Sequence, residues 1–202
     1  YLIARQLHYG GWVLRLILSG IAVSALFSAG IGLLKYLADP LTQLPEITFW
    51  LLGGLWSVTW REVALMLPFV SAGLIIIYLM RRRLNLLSLS EETAFSLGSR
   101  MGRERALLLM GAVAAIAAVT AVGGVIGWVG LIIPHMARRL FGASAQRTVP
   151  ATILLGAIFV VFCDTMARSL RPGEIPLGII TSLLGALIFI LLMATVGARW
   201  KP

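Results

Sequence analysis

Catalytic and ligand-binding chemistry needs histidine, cysteine, lysine or carboxylate groups that can act together, and this chain scatters them. His8 and His135 stand alone in the sequence. Cys163 is the single cysteine, so an intrachain disulfide is excluded and a Cys–His nucleophile has no support. A phosphate-binding loop needs a lysine closing a glycine-rich turn. The two lysines, Lys35 in "GLLKYLA" and Lys201 near the C-terminus, lie outside any such pattern. ATP hydrolysis by this chain itself is therefore not expected, and neither is a cofactor or metal site. His135, in "PHMARR", reads as a packing or headgroup-level residue rather than a ligand. Asp164 and Arg168 in "CDTMARSL" are one helical turn apart, the spacing of a local ion pair. The stretch that asks for an explanation is a different one: residues 81–105, "RRRLNLLSLSEETAFSLGSRMGRER", a polar insert between long apolar runs.

Those runs define the class. Of 202 residues, 59% are apolar and 12% charged, against about 45–50% and about 25% in an average soluble domain. Apolar stretches of about 20 residues recur, the length that crosses a hydrocarbon core as helix. The chain reads as an all-α polytopic membrane bundle, because lipid offers unpaired backbone groups no partner. The net charge of +9 is carried mostly by arginines beside apolar runs. That pattern suits topology signals better than a nucleic-acid face. Six segments are expected: 12–37, 63–80, one from 106, a shorter one at 127–141, then 149–169 and 175–197.

The third and fourth segments need a break between them. Residues 106–134 carry no charge, and "AVGGVIGWVG" supplies four glycines within Gly123–Gly130. A single helix here would put Arg100, Arg103 and Arg105 opposite Arg138, Arg139 and Arg147. A break puts both clusters on one side, as the positive-inside rule requires. Both chain ends then fall inside, with 13 basic residues, and four lie outside: Lys35, Arg61, Arg168 and Arg171.

The insert 81–105 is thereby cytoplasmic. Ser88 and Glu91 fit a capping box, Glu91 and Glu92 suit a positive helix N-terminus, and Gly98 suits the helix end. Ala94, Phe95 and Leu97 form an apolar patch. A helix of about two turns is unstable alone and needs a surface. That surface is either the chain's own bundle with the headgroups or a cytoplasmic partner. Two ridges of small residues pose a similar choice. Gly20, Ser24, Ser28 and Gly32 repeat every four residues, as do Gly178, Ser182 and Ala186. Such ridges serve close helix packing or a smooth pathway wall.

"LNLLSLSEETAFSLG", then "VGGVIGWVGLIIPHMARRLFG", "CDTMAR" and "GEIPLGIITSLLGALIFILLM" resemble the FecCD family of permeases, in that family's order and spacing. The resemblance covers nearly the whole chain. It implies the membrane subunit of an ATP-binding-cassette importer for iron–siderophores, haem, cobalamin or related chelates in the bacterial inner membrane. It also implies a ten-helix permease of which residues 1–202 are the C-terminal six-helix part. The partners implied are two ATPase subunits, a periplasmic or lipoprotein substrate-binding protein and a second permease copy. Residues 81–105 become the coupling loop, with Ser90, Glu91, Glu92, Thr93, Ala94, Leu97 and Gly98 docking on the ATPase. The two small ridges become walls of a central pathway. Arg168, with Arg171 and Arg61, becomes a receiver for acidic residues of the binding protein, an alternative to the Asp164 ion pair. A secondary transporter or channel is the rival class. It would carry an ionisable residue deep in a span, and none lies near the middle of these segments.

Overall fold

The computed structural model describes residues 4, 6, 11–87, 101–170 and 175–197, and these are helical except at the connections. The described helices are α1 (Trp12–Leu37), α2 (Gln43–Leu52), α3 (Trp60–Leu79), α4 (Arg81–Leu86), α5 (Met101–Gly123), α6 (Val129–Phe141), α7 (Ala145–Ser169) and α8 (Leu177–Gly197). The chain divides into two compact units, Tyr1–Thr48 and Phe49–Pro202, with the boundary inside α2. Five helices, α1, α3, α5, α7 and α8, are long and apolar enough to cross a membrane, by length and composition.

In the first unit, the turn after α1 is built by Asp39. Its carboxylate accepts from the Leu41 and Thr42 amides and the Thr42 hydroxyl, each at 2.9 Å. Gln43 Oε1 answers by accepting from the Asp39 amide at 3.1 Å. The Thr42 hydroxyl, then the two amides, hold the Asp39 carboxyl below its ordinary pKa. These bonds launch α2, a helix the apolar pattern does not announce.

In the second unit, α3 and α5 run antiparallel along a seam of small residues. A Cβ added to Gly73 would collide with the Gly111 carbonyl and lie 2.8 Å from Ala115 Cβ. At one end of the pair Arg83 meets Glu104 at 3.5 Å. At the other, the Gly54 amide donates to the Gly123 carbonyl at 2.9 Å. Helix α3 begins three residues earlier than expected, because Thr59 and Glu62 form a capping box. The Glu62 carboxylate accepts from the Thr59 amide at 2.7 Å.

The chain breaks at residues 124–128, inside the glycine-rich stretch. Helix α6 then has only 13 residues, a rise of about 20 Å against a hydrocarbon core of about 30 Å. The fourth apolar segment is thus a short helix, distinct from the five long ones. It nevertheless carries the chain back to the end where α5 began, since the Ala145 amide at the start of α7 donates to Asn85 Oδ1 at 2.9 Å. Among the described residues one packed cluster sets Cys163 and Ala167 of α7 with Leu177 and Ile180 of α8, with Leu55, Ile126 and Phe159 around them, and Ile132, Ile133 and Ala137 of α6 are buried as well. Apolar side chains such as Ile116, Leu154, Ile158 and Ile190 point outward, as a hydrocarbon surrounding permits.

Candidate functional site

The two ends of the second unit differ in charge. One gathers Arg81–Arg83 of α4, Arg103 and Arg105 of α5, Arg138 and Arg139 of α6 and Arg147 of α7. The pairings that place them together are Arg83 with Glu104 and Asn85 with Ala145. Helix α8 finishes at the same end, where Arg139 Nη1 donates to the Leu192 carbonyl at 3.4 Å. The described arginines of the two clusters flanking the break therefore share one end, the arrangement the charge pattern required; Arg100 lies outside the described residues. Arg81 stacks on Tyr78, its guanidinium carbon 3.8 Å from the ring centre. His135 is engaged with Arg138 through Nδ1 at 3.2 Å.

The expected docking residues Ser90, Glu91, Glu92, Thr93, Ala94, Leu97 and Gly98, with the Ser88 cap, lie outside the described residues. Both roots of their loop are described: α4 enters from the basic end and α5 leaves from it. Helix α4 itself was not anticipated, because "RRRLNL" shows charge but no helical periodicity.

The opposite end is a junction of backbones. Gly53 (φ +68°) and Gly124 (φ +69°) adopt left-handed conformations, which side-chain-bearing residues adopt at a cost. The Gly178 amide donates to the Gly53 carbonyl at 3.3 Å. A Cβ on Gly124 would run into the Trp50 carbonyl, and one on Gly178 into the Leu52 carbonyl. The end of α2, the α5–α6 break and the start of α8 thus meet with no room for a methyl group. Trp50, Trp56, Trp60 and Trp128 cluster at or near this end, the aromatic belt expected where a bundle meets the interface.

Arg168 sits here as well. Its Nε donates to Asp164 Oδ2 at 2.8 Å, and its Nη2 reaches the Leu55 carbonyl at 3.5 Å. The side chain remains 44% exposed, so the pair adds little to stability. Arg61, in the first turn of α3, is exposed and follows the same 53–59 loop that Arg168 touches. Arg171 lies outside the described residues.

The ridges differ from each other. Gly20, Ser24, Ser28 and Gly32 stand exposed on α1, and no atom of their own unit lies within 4 Å of a Cβ added to Gly20 or Gly32. On α8, Gly178 is buried in the junction, while Ser182 and Ala186 are half-buried. One ridge position is therefore committed to close backbone packing.

The chain as a whole is similar to known proteins. The chain is 43% identical over 178 residues to the molybdate import system permease protein MolB of Haemophilus influenzae, covering 88% of this chain and 52% of that one. It is 40% identical over 181 residues to the Fe(3+)-citrate import system permease protein YfmE of Bacillus subtilis, covering 88% and 53%. A solved inward-facing structure of a transporter described as metal-chelate type superposes with a TM-score of 0.87 at 41% identity, over 90% of this chain and 60% of that one. The chain spans about half the length of the curated relatives it matches. The FecCD transport family model matches residues 1–195. With that match over almost the whole chain and the helical architecture superposing on a transporter's, the chain belongs to the FecCD transport family.

Proposed function

We propose that this chain is part of the permease of an ATP-binding-cassette importer, carrying a metal chelate such as an iron–siderophore, haem or cobalamin into the cytoplasm. The observation that supports this most is the gathering of both arginine clusters and the α8 terminus at one end, beside the roots of the 81–105 loop. By the positive-inside rule that end is cytoplasmic. The loop is then presented to a separate ATPase subunit, and Arg168 and Arg61 face the outer binding protein. Acidic residues on that protein would speed encounter and fix its register.

The sidedness has a simple test. In a chain with Cys163→Ala, cysteines at Gly102 and Ala143, both exposed positions, label with a membrane-impermeant reagent only from the cytoplasm. A cysteine at Gln43 labels only from outside. Labelling of Gly102 and Ala143 from opposite sides overturns the topology and the coupling assignment together.

The substrate path runs, on this reading, between two permease copies, along the α1 ridge and the Ser182–Ala186 part of α8. Small, weakly polar walls let a large chelate slide without being held. Cysteines at Ser24 and Ser28 are expected to react with a small polar thiol reagent or to cross-link between copies, with reactivity that changes on ATP binding. Leu at these sites slows transport and spares the folded dimer. A packing seam gives the reverse: unreactive cysteines, and overpacking of about 1–3 kcal/mol that lowers stability.

A further inference from the structure

We infer that Asn85 is a positioning residue that ties α4, the segment leading into the 81–105 loop, to the first turn of α7, so that the two move as one body. The inference rests on the importer reading above. Its basis is one bond: the Ala145 amide donates to Asn85 Oδ1 at 2.9 Å, half-buried, across 60 residues of sequence.

The first amides of a helix lack partners within it. The Ser144 carbonyl takes the Arg147 amide at 3.0 Å, but the N-cap Ser144 side chain makes no cap bond, which leaves the Ala145 amide to be met from elsewhere. The cap arrives from another element. Asn85 belongs to a six-residue helix, too short to hold its place unaided. Arg81 on Tyr78 and Arg83 beside Glu104 tie α4 to the α3–α5 pair, and Asn85 ties it to α7. The receiving turn is itself held: the single proton of the Thr148 hydroxyl is shared between the Gly142 carbonyl at 2.8 Å and the Ser144 carbonyl at 3.0 Å.

Helix α7 then continues unbroken for 25 residues, a rise of about 37 Å. At its far end the Ile175 amide donates to the Ala167 carbonyl at 3.2 Å, and Arg168 reaches Leu55. One rigid element thus has the base of the ATPase-facing loop bonded to its first residue and the outer arginine in its last turn. Capping is worth about fivefold in a two-state equilibrium. That is enough to decide whether a shift of α4 carries α7 with it.

The test uses the full-length permease with its ATPase and outer binding protein in proteoliposomes, reading the ratio of ATP hydrolysis with and without the binding protein. Asn85→Ala is expected to lower this ratio by about fivefold while the ATPase still copurifies. Asn85→Asp keeps an acceptor for the Ala145 amide and keeps the ratio. A cysteine pair replacing Asn85 and Ala145, joined by a short bifunctional thiol reagent, also keeps it, because locking a joint that moves as one body changes nothing. An unchanged ratio in Asn85→Ala, an equal loss in Asn85→Asp, or loss on locking overturns the inference and leaves the importer reading standing. Wild-type ATP hydrolysis that no outer protein stimulates overturns both.

Discussion

A Gly178→Val permease is expected to yield almost no folded protein in detergent extract, and Gly124→Ala only a small fraction of the wild-type yield. The reason is the three-way backbone junction. Gly178 presses against the Leu52 carbonyl and lies 3.0 Å, measured from an added Cβ, from the Val125 carbonyl. Neither neighbour is the flexible tip of a side chain that could swing aside. Gly124 adds a left-handed backbone at φ +69°, which costs a side-chain-bearing residue about 1–2 kcal/mol. Overpacking adds about 1–3 kcal/mol, so Gly124→Ala loses about 2–5 kcal/mol, a large part of a typical stability margin. Gly20→Ala is the control, since no atom of its own unit stands near the added methyl. It should keep its yield or gain slightly in helix propensity. The check is the fraction of solubilised permease that elutes monodisperse, before and after a heating series. Equal elution of Gly178→Val and wild type would mean that the junction is not close-packed.

The same junction shows what the sequence made legible and what it hid. Four glycines within a run too long for one span and too short for two announced the break, and charge decided where the chain went next. What pattern could not supply was the partner of each glycine. Gly178 looks like Ser182 and Ala186 in a four-residue ridge, yet it is pressed against two carbonyls from distant segments, while Ser182 and Ala186 are only half-buried. Helix α2 escaped because Pro45 and a length of 10 residues mask its periodicity, although Asp39, Pro40 and Gln43 carry start signals. The Thr59–Glu62 capping box is a readable T-x-x-E motif that apolar counting passed over. Asn85 carries no local signal for its role, because its partner is 60 residues away. The Asp164–Arg168 bond was legible from spacing alone, since an i,i+4 pair needs only a helix.

Gly98→Trp, and to a lesser extent Glu92→Arg, is expected to abolish transport while the permease still inserts and folds. On the importer reading, Glu92, Ala94 and Gly98 meet the ATPase, so an indole at Gly98 fills space that the partner's cleft requires. Loss of a central docking residue costs about 2 kcal/mol or more, roughly 30-fold in association, and copurification of the ATPase should fall accordingly. The junction variants lose folded protein; these lose only the partner. The central claim is that ATP hydrolysed at the basic end drives a chelate through the bundle. It is measured most directly as accumulation of iron–siderophore, haem or cobalamin in proteoliposomes holding the full-length permease, its ATPase and its binding protein. The account predicts uptake that requires ATP on the side of the 81–105 loop and vanishes with Gly98→Trp. Uptake driven by an ion gradient without ATP, and unchanged in Gly98→Trp, would contradict it.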